Sequence, residues 1–270
     1  MSTLALQQSP GSPSGAGAYL TQMLAVAAAE AVKLRNDPVE LVSRSVQPIL
    51  WLVLFGQVMA HVRGLATGGS YIDFLAPGIL AQSVLFVAIF YGLSAIWERD
   101  LGVLHRYMVS PAPRSALVIG KALASSIRGI CQSIVIYLCA ALLGVRLSLQ
   151  PAHMLGVLML IVLASALFST FSLIIACIVK TLERFMGVGQ FLTMPIFFAS
   201  NAIYPLAMMP AWLKAISRAN PLSYEVDGLR SLMLAGGQSQ FGLGVDYSVL
   251  LAIIAALVVA ATRMYPRLTQ

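Results

Sequence analysis

Few side chains in this sequence have the spacing that chemistry requires. The three cysteines, Cys131, Cys139 and Cys177, lie within apolar stretches and lack the paired spacing of a metal site. The three histidines are scattered along the chain, so the sequence predicts no cluster of metal ligands. We interpret the cysteines as small lipophilic residues of helices.

The close pair of carboxylates at Glu225 and Asp227 is the best remaining candidate for a reactive site. Arg230 follows Asp227 by three residues, a spacing at which two side chains meet on the surface of a helix. We therefore interpret Asp227 and Arg230 as a surface ion pair. With no histidine or metal cluster nearby, the sequence does not favour hydrolysis.

A basic stripe is the most regular pattern of charge. Arg114, Lys121 and Arg128 recur every seven residues, which places them on one helix face along about 21 Å. Long basic side chains can extend to lipid headgroups, and this reading suits Arg114 and Lys121. Arg128 is deeper in the apolar run, where its charge requires a carboxylate or carbonyl partner.

Composition identifies the solvent around most of the chain as lipid. The 270 residues are 59% hydrophobic and 10% charged, with a mean hydropathy of +0.86. A soluble domain carries about 25% charged residues. Apolar runs of about 20 residues recur, which is the length of a helix that crosses a bilayer. The net charge of +7 is distributed over loops between these runs, so nucleic-acid binding is not predicted.

The sequence predicts an all-α polytopic membrane protein with six transmembrane helices in residues 38–270. A disordered cytoplasmic tail is expected over 1–17, and an interfacial amphipathic helix over 18–37. A polar loop at 98–114 separates the second and third spans. Residues 207–241 are too polar and too rich in proline to cross. The expected spans are 45–62, 72–97, 115–145, 152–179, a helix from residue 185 through Pro195, and 247–263.

The distribution of the 17 Lys and Arg residues predicts the orientation of the spans. Most of them fall on the side that holds both termini and the 98–121 loop. The positive-inside rule therefore places that side in the cytoplasm.

Two motifs resemble those of one transporter family. The first runs from Glu98 to Lys121 as ER-x-x-G-x-L-x-R-x-x-x-SP-x-x-R-x-x-x-x-GK. The second includes Met209-Pro210, Asn220-Pro221 and Asp227-Gly-Leu-Arg230. Together they are similar to type-2 ABC transporter permeases, in the branch of the daunorubicin and lipo-oligosaccharide exporters, over roughly residues 20–265.

The resemblance implies a fold, partners and a localisation. Such permeases have an N-terminal helix on the cytoplasmic surface, and outer re-entrant helices between spans 5 and 6. They pair with a second permease copy or a paralogue and with an ABC ATPase subunit that binds ATP and Mg. No cofactor is expected in this chain itself. The resemblance further implies a location in a bacterial inner membrane, export of a substrate, and a role in multidrug or antibiotic resistance.

The resemblance also implies that the first cytoplasmic loop docks onto the ATPase. Carried over to this chain, the candidate coupling residues include Glu183 in the second charged turn and the matching positions of the first motif: Glu98, Arg99, Gly102, Leu104, Arg106, Ser110, Pro111, Arg114 and Lys121.

Two shorter matches are coincidental. Leu234-Ala-Gly-Gly-Gln238 resembles the signature of ABC ATPases, but Ala235 replaces the serine that meets the γ-phosphate. Gly120-Lys121 lacks the first glycine and the following Ser or Thr of a P-loop. Nucleotide is therefore expected on a separate chain.

Aromatic and Met side chains of the second and fifth spans are candidates for the substrate pathway. Such surfaces bury varied lipophilic ligands without precise hydrogen bonds. Packing between helices or against lipid is the alternative, and Pro195 is either a gate or a static kink. The candidates are Phe86, Phe90, Tyr91, Phe191, Met194, Phe197, Phe198 and Asn201.

The leading hypothesis is the non-catalytic membrane subunit of an ATP-driven exporter of lipophilic or amphiphilic substrates. A membrane-embedded lipid- or glycan-modifying enzyme would need convergent acidic or histidine groups. A secondary transporter would show an internal repeat and intramembrane carboxylates. The sequence reveals neither arrangement, and it does not specify the substrate.

Overall fold

The computed structural model describes residues 38–60, 70–101, 114–179 and 181–265, together with the single positions Ala28 and Val32. The predicted tail at 1–17, nearly all of the interfacial helix at 18–37 and most of the 98–114 loop lie outside the described residues. Within the described ranges the chain is almost entirely helical. Its extended pairing is an isolated antiparallel bridge between Leu147 and Leu234.

Ten α-helices follow one another in the described chain. The first two are joined by a π-helical turn at Trp51–Phe55, and a short 3-10 turn lies at Leu206–Met208. The helices are α1 (Pro38–Leu50), α2 (Gly56–Ala60), α3 (Tyr71–Tyr91), α4 (Leu93–Asp100), α5 (Arg114–Leu142), α6 (Pro151–Val179), α7 (Leu182–Phe198), α8 (Ala211–Ala219), α9 (Pro221–Met233) and α10 (Leu243–Met264).

Four helical segments of the described chain are long and apolar enough to cross a bilayer, and they lie at the predicted second, third, fourth and sixth spans. They are Tyr71–Asp100, Ser115–Leu142, Pro151–Val179 and Leu243–Met264. Helices also occupy the predicted first and fifth spans. However, α1 and α2 are separated by the π turn, and α7 has 17 residues, about 26 Å of rise. The structure thus supports four spans directly, and the count of six stays a prediction.

The α-helix of the second span is interrupted at Gly92, which the sequence did not predict. The hydroxyl of Ser172 on α6 donates to the backbone carbonyl of Ile89, and so occupies an acceptor of the helix. A Cβ at Gly92 would lie 2.0 Å from the Ser172 Oγ. Insertion of a side chain into the backbone ladder is a known cause of helix bends. The helix then resumes as α4 and carries Glu98 and Arg99, which were predicted to lie in the loop.

The third span ends at Leu142 instead of Val145 because Gly144 stops the helix. Gly144 adopts a φ of 78°, a left-handed conformation that glycine reaches without a steric penalty. Its amide donates to Ala141, and the amide of Val145 donates to Ala140. This pair of hydrogen bonds is a Schellman motif, which satisfies the last carbonyls of the helix.

Helix α6 lies at the centre of the bundle and packs against α3, α5, α9 and α10. Two glycines permit close contacts at separate interfaces. A Cβ at Gly78 on α3 would lie 2.4 Å from the carbonyl oxygen of Ala202, and one at Gly156 on α6 would lie 2.7 Å from Leu232 of α9. The first contact brings α3 against the segment after α7, and the second brings α6 against α9.

A second, smaller core cluster gathers the ends of five helices. It contains Ala95, Ile96, Leu117, Val118, Leu173, Ile175, Ala176, Cys177, Phe185, Ala261 and Tyr265. These residues belong to α4, the start of α5, the end of α6, the start of α7 and the end of α10, apart from Tyr265, which directly follows α10. The cluster lies at the end of the bundle that the charge distribution assigns to the cytoplasm.

The segment between α7 and α10 forms short helices. Helices α8 and α9 have 9 and 13 residues, about 14 and 20 Å of rise, which is less than the thickness of a bilayer. Asn220 caps α9, since its side chain accepts a hydrogen bond from the amide of Leu222 at 3.0 Å, and Pro221 occupies the first turn. The prediction that 207–241 contains no complete span agrees with these lengths.

Candidate functional site

A polar cleft opens between α1, α3 and α7, in a bundle whose helices are otherwise largely apolar. Its volume is about 260 Å³. The apolar part of its wall is Pro48, Phe86, Val87 and Phe90. Its polar lining consists of Ser43, Arg44, Gln47, Gln82, Ser83 and Gln190.

Gln82 is the most unusual residue of this cleft. It is 2% exposed, and its Oε1 has no hydrogen-bond partner among the described residues. A buried acceptor without a partner costs about 1–3 kcal/mol. The neighbouring Ser83 avoids this cost, since its hydroxyl donates to the carbonyl of Ile79 at 2.8 Å. Gln82 is therefore a buried polar group of the cleft wall whose oxygen lacks a partner in the described chain.

Two of the predicted pathway residues, Phe86 and Phe90, line the cleft together. Their ring centroids are 6.2 Å apart and the rings are inclined by 26°, so they form one stacked aromatic surface. Tyr91, the third candidate on α3, is buried and lies beneath Arg128, whose guanidinium carbon is 5.5 Å from the ring centroid. The aromatic ring thus stabilises the deep cation, a partner that the sequence did not predict.

An aromatic cluster lies farther along α7 and around the π turn. Trp51 contacts Phe197 and Phe198, each at a centroid distance of 6.3 Å, and it contacts Phe55 at 5.2 Å. Phe55 contacts Tyr71 at the start of α3. Pro48 and Gln190 line the cleft, and the residues of the aromatic cluster come after them in the same two helical segments. The cluster therefore lies between the cleft and the α8 side of the molecule.

Beyond the aromatic cluster, an apolar groove of about 660 Å³ runs between the end of α7 and α8. Trp212 and Ile216 of α8 line one wall, and Phe198 contributes to the other. The hydroxyl of Tyr204 donates to the carbonyl of Phe198 and holds the end of α7 against the following segment. We call this region the outer groove, because the charge distribution predicts that it faces the outside.

The remaining pathway candidates lie elsewhere. Phe191 is 74% exposed, and Met194 is half-buried; neither lines the cleft or the outer groove. Asn201 is fully buried, and its backbone carbonyl accepts a hydrogen bond from Arg230 at 2.9 Å. Its side-chain amide has no partner among the described residues.

Arg230 and Asp227 are buried, so the interpretation of a surface ion pair is wrong. Arg230 is stacked on the ring of Phe74, with its guanidinium carbon 4.0 Å from the centroid. Burial lowers the pKa of Arg230 to about 10, while the charge of Asp227 acts in the opposite direction. The partners of Arg230 come from α3 and from the segment after α7, positions that are distant in sequence.

The buried carboxylates of Asp227 and Asp246, whose proximity the sequence did not predict, meet at the start of α10. Asp227 accepts hydrogen bonds from the amides of Gln240 and Phe241 and from the hydroxyl of Ser239. The same hydroxyl is 3.1 Å from the Oδ2 of Asp246. These bonds attach the loop that leads into α10 to α9, which is a structural role.

Glu225 differs from these two carboxylates because neither of its oxygens has a partner among the described residues. The residue is fully buried on α9. Burial raises the pKa of Glu225 well above its usual value. The sequence analysis singled out Glu225 as a carboxylate but not as a buried one, because it did not assign 221–233 to a buried helix.

The described coupling candidates all lie at the end of the bundle that holds the small core cluster. Lys121 donates to Glu98 at 2.7 Å, an ion pair between α5 and α4. Arg99 pairs with the adjacent Asp100, and Glu183 is exposed in the first turn of α7. Arg114 begins α5. Gly102, Leu104, Arg106, Ser110 and Pro111 lie outside the described residues.

Two apolar side chains are exposed beside these charges. Trp97 is 55% exposed and Leu101, at the end of α4, is 78% exposed. Leu101 directly follows the last residue of α4 and belongs to the predicted 98–114 loop. The end of α4 therefore presents both apolar area and charge at the point where the loop begins.

Comparison with known proteins relates this chain to one family of transporters. The family model described as ABC-2 type transporter matches residues 21–234. The transport permease ycf38 of Cyanophora paradoxa is 31% identical over 204 residues, which cover 74% of this chain and 70% of that protein. The daunorubicin resistance ABC transporter permease protein DrrB1 of Streptomyces coeruleorubidus is 23% identical, over 86% and 81% of the two chains. The inner membrane transport permease YadH of Escherichia coli is 26% identical, over 77% and 79%.

Proposed function

The chain belongs to the ABC-2 type transporter family, and from that premise we propose that it is the membrane subunit of an ATP-driven exporter of lipophilic or amphiphilic substrates. The observation that carries this proposal is the polar and aromatic cleft between α1, α3 and α7. A cavity with amide groups on one side and stacked rings on the other suits a ligand with a polar and an apolar part. The name of the Streptomyces relative, which concerns daunorubicin resistance, supports a drug or a similar amphiphile.

The energy source is a separate ABC ATPase that binds ATP and Mg. The described end of α4 supports docking of such a subunit, because Trp97 and Leu101 are exposed beside Arg99. In this proposal the 98–114 loop transmits the closure of the ATPase to α3, which continues into α4 and lines the cleft. Lys121 contributes indirectly, since its ion pair with Glu98 joins α5 to α4.

The pathway runs from the cleft past the aromatic cluster to the outer groove. Trp51, Phe197 and Phe198 lie between the two cavities along α7 and the π turn. Movement of α7 against the first helical segment would open or close this passage. The cleft is open on the side of α1 and α7. A second permease copy, or a paralogue, completes its wall there.

We assign six spans to the subunit, including the shorter segments 38–60 and 182–198. The short helices between Leu206 and Met233 form an outer re-entrant cap, and residues 18–37 lie on the cytoplasmic surface. Both termini are then in the cytoplasm of a bacterial inner membrane. The inner membrane permease of Escherichia coli supports this localisation.

Co-reconstitution with an ABC ATPase encoded beside this chain tests the function. We expect co-purification of the two subunits and vanadate-sensitive ATP hydrolysis that amphiphiles stimulate. Substitution Arg106→Glu should weaken the association, whereas Arg263→Glu, a change of the same charge at the exposed end of α10, should not. Transport that depends on a proton gradient and is not inhibited by vanadate would favour a secondary transporter. The buried Glu225 would then be the candidate proton-binding residue. Chemical conversion of the lipid would favour an enzyme.

A further inference from the structure

Helix α8 has three chemically distinct faces. At about 100° per residue, Leu213 and Ser217 lie on the first face. Lys214 and Arg218 lie on the second, and the third is apolar over an arc of about 100°. The residues of the apolar face are Trp212, Ala215, Ile216 and Ala219. The centres of the three faces are about 100–130° apart, so each face meets a different environment.

The first face attaches α8 to the rest of the protein. Ser217 is fully buried, and its hydroxyl lies 2.9 Å from the hydroxyl of Ser223 on α9. The hydroxyl of Tyr224, also on α9, donates to the backbone carbonyl of Arg218 at 2.7 Å. These contacts fix the rotation of α8 about its own axis. The directions of the basic and the apolar face are therefore determined by the fold.

The apolar face is open in the described chain. Trp212 is 67% exposed and Ile216 is 49% exposed, and both alanines of this face are exposed as well. Trp212 and Ile216 also line the outer groove, so the apolar area continues from the helix into the groove. Tryptophan is enriched at the boundary between hydrocarbon and headgroups. In a chain with membrane spans, the acyl chains of the surrounding lipid are the hydrocarbon that can cover this face.

The basic face adds a preference for negative charge. Arg218 is exposed and Lys214 is half-buried, and the nine residues of α8 include no Asp or Glu. Neither side chain forms an ion pair with another described residue. A surface helix with an apolar face and a basic face binds at the membrane interface and is attracted to anionic lipids. Each basic residue near the surface raises the affinity for anionic lipid about fivefold.

We propose that α8 binds an anionic phospholipid of the leaflet on its side of the membrane. Trp212 and Ile216 contact the acyl chains, while Lys214 and Arg218 contact the phosphates. This lipid is a partner of the permease and does not depend on which substrate the permease moves, or in which direction. Because α8 forms one wall of the outer groove, the bound lipid lies at the edge of that groove.

Quenching of Trp212 fluorescence by brominated lipids tests the proposal. The chain has three tryptophans, so the full-length double variant Trp51→Phe, Trp97→Phe retains Trp212 alone. It is reconstituted into vesicles that contain dibrominated phosphatidylglycerol or dibrominated phosphatidylcholine, both of which quench a tryptophan that contacts acyl chains. We expect phosphatidylglycerol to bind beside Trp212 about fivefold more tightly, or better. High salt should weaken this preference because it screens exposed charges.

Variants in this single-tryptophan chain assign the preference to the basic face. Lys214→Gln combined with Arg218→Gln should make the two lipids bind about equally. Lys214→Arg combined with Arg218→Lys retains both charges and should keep the preference. The matched control, Arg184→Gln combined with Arg263→Gln, removes two exposed charges at the opposite end of the bundle and should also keep it.

Three results would overturn the proposal. The first is equal binding of the two lipids to the single-tryptophan chain, and the second is an unchanged preference after both basic residues of α8 are replaced by Gln. The third is a lack of quenching by either lipid, which would show that protein, such as a second copy of the chain, covers the apolar face. The salt dependence requires no variant of the basic face, so it tests the preference even if such a variant fails to fold.

Discussion

Lys121 and Glu98 are separated by 23 residues, yet their charged atoms are 2.7 Å apart at the junction of α5 and α4. Lys121 is 7% exposed, so its partner must compensate for the lost hydration. The ion pair with Glu98 therefore explains why the basic stripe has a lysine at position 121. Arg99 and Asp100 form a second ion pair nearby that is considerably more exposed.

We expect the buried and the exposed pair to differ in a double-mutant cycle. Replacing Lys121 by Met should destabilise the protein by about 3 kcal/mol, because Glu98 is left half-buried and unpaired. The coupling energy between Lys121 and Glu98 should exceed about 1 kcal/mol. The coupling between Arg99 and Asp100 should lie below about 1 kcal/mol. Unfolding in detergent micelles measures both cycles, and equal coupling energies would contradict this view.

Glu225 should make the stability depend on pH. Its pKa is raised in the folded protein, so its contribution to stability is fully present below the unfolded value near 4.5 and is lost as the pH rises through the folded value. We therefore expect the melting temperature of the wild type to fall between pH 5 and pH 8 relative to Glu225→Gln. Glu225→Asp keeps an ionisable group and should retain the decline. If the melting temperatures of the wild type and Glu225→Gln change in parallel with pH, Glu225 does not cause the pH dependence.

At the scale of the elements, glycines decide how closely the helices approach. Gly78 lies directly against the backbone of Ala202, whereas Gly187 on α7 has open space where a Cβ would be. Gly78→Ala must push α3 away from the segment after α7 and should cost about 1–3 kcal/mol. Gly187→Ala should be neutral or stabilise the helix by up to about 1 kcal/mol. Thermal unfolding of the two variants compares them, and equal melting temperatures would show that the contact at Gly78 relaxes without cost.

The sequence predicted where the long helices lie but not how they meet. The apolar runs around Leu85, Leu160 and Leu257 are sufficient to predict α3, α6 and α10, since each run has the length of a span. The interruption at Gly92 could not be predicted, because the hydroxyl that contacts this part of the helix lies 80 positions later in the chain. The end of α5 was predicted within three residues, and Gly144 is the local signal that would have corrected it.

The candidate site was only partly accessible from the sequence. Aromatic composition predicted Phe86 and Phe90, and these do line the cleft. Gln82 was missed although an amide in the middle of an apolar helix is itself a signal. The burial of Arg230 was also missed, because its contacts with Phe74 and Asn201 come from other elements.

At the scale of the whole molecule, the distribution of charge predicts the orientation in the membrane. Reporter fusions at residue 270 should give a cytoplasmic signal, and fusions within 209–240 should give an external one, because positively charged loops are retained in the cytoplasm. The described α8 and α9 are too short to return the chain across the bilayer, so the second fusion tests the proposed outer cap directly. A cytoplasmic signal from 209–240 would invert the topology and the direction of the pathway.

The π turn at Trp51–Phe55 acts as a rotational spacer within the first helical segment. Apolar side chains are exposed along this segment at intervals of mostly four residues: Val39, Val42, Val46, Leu50, Leu54 and Val58. In a continuous α-helix of 3.6 residues per turn, such a series would drift around the axis by about 40° at each step. The π turn has more residues per turn than an α-helix, so it reverses part of this drift. The exposed apolar side chains then stay on one side of the helix. Because the π turn already accommodates one extra residue, deletion of Val53 should restore a regular α-helix and leave the angle between Arg44 and Gln57 nearly unchanged. Insertion of one residue after Val53 should instead rotate Gln57 by about 100°, and cysteine crosslinking between copies would distinguish the two variants.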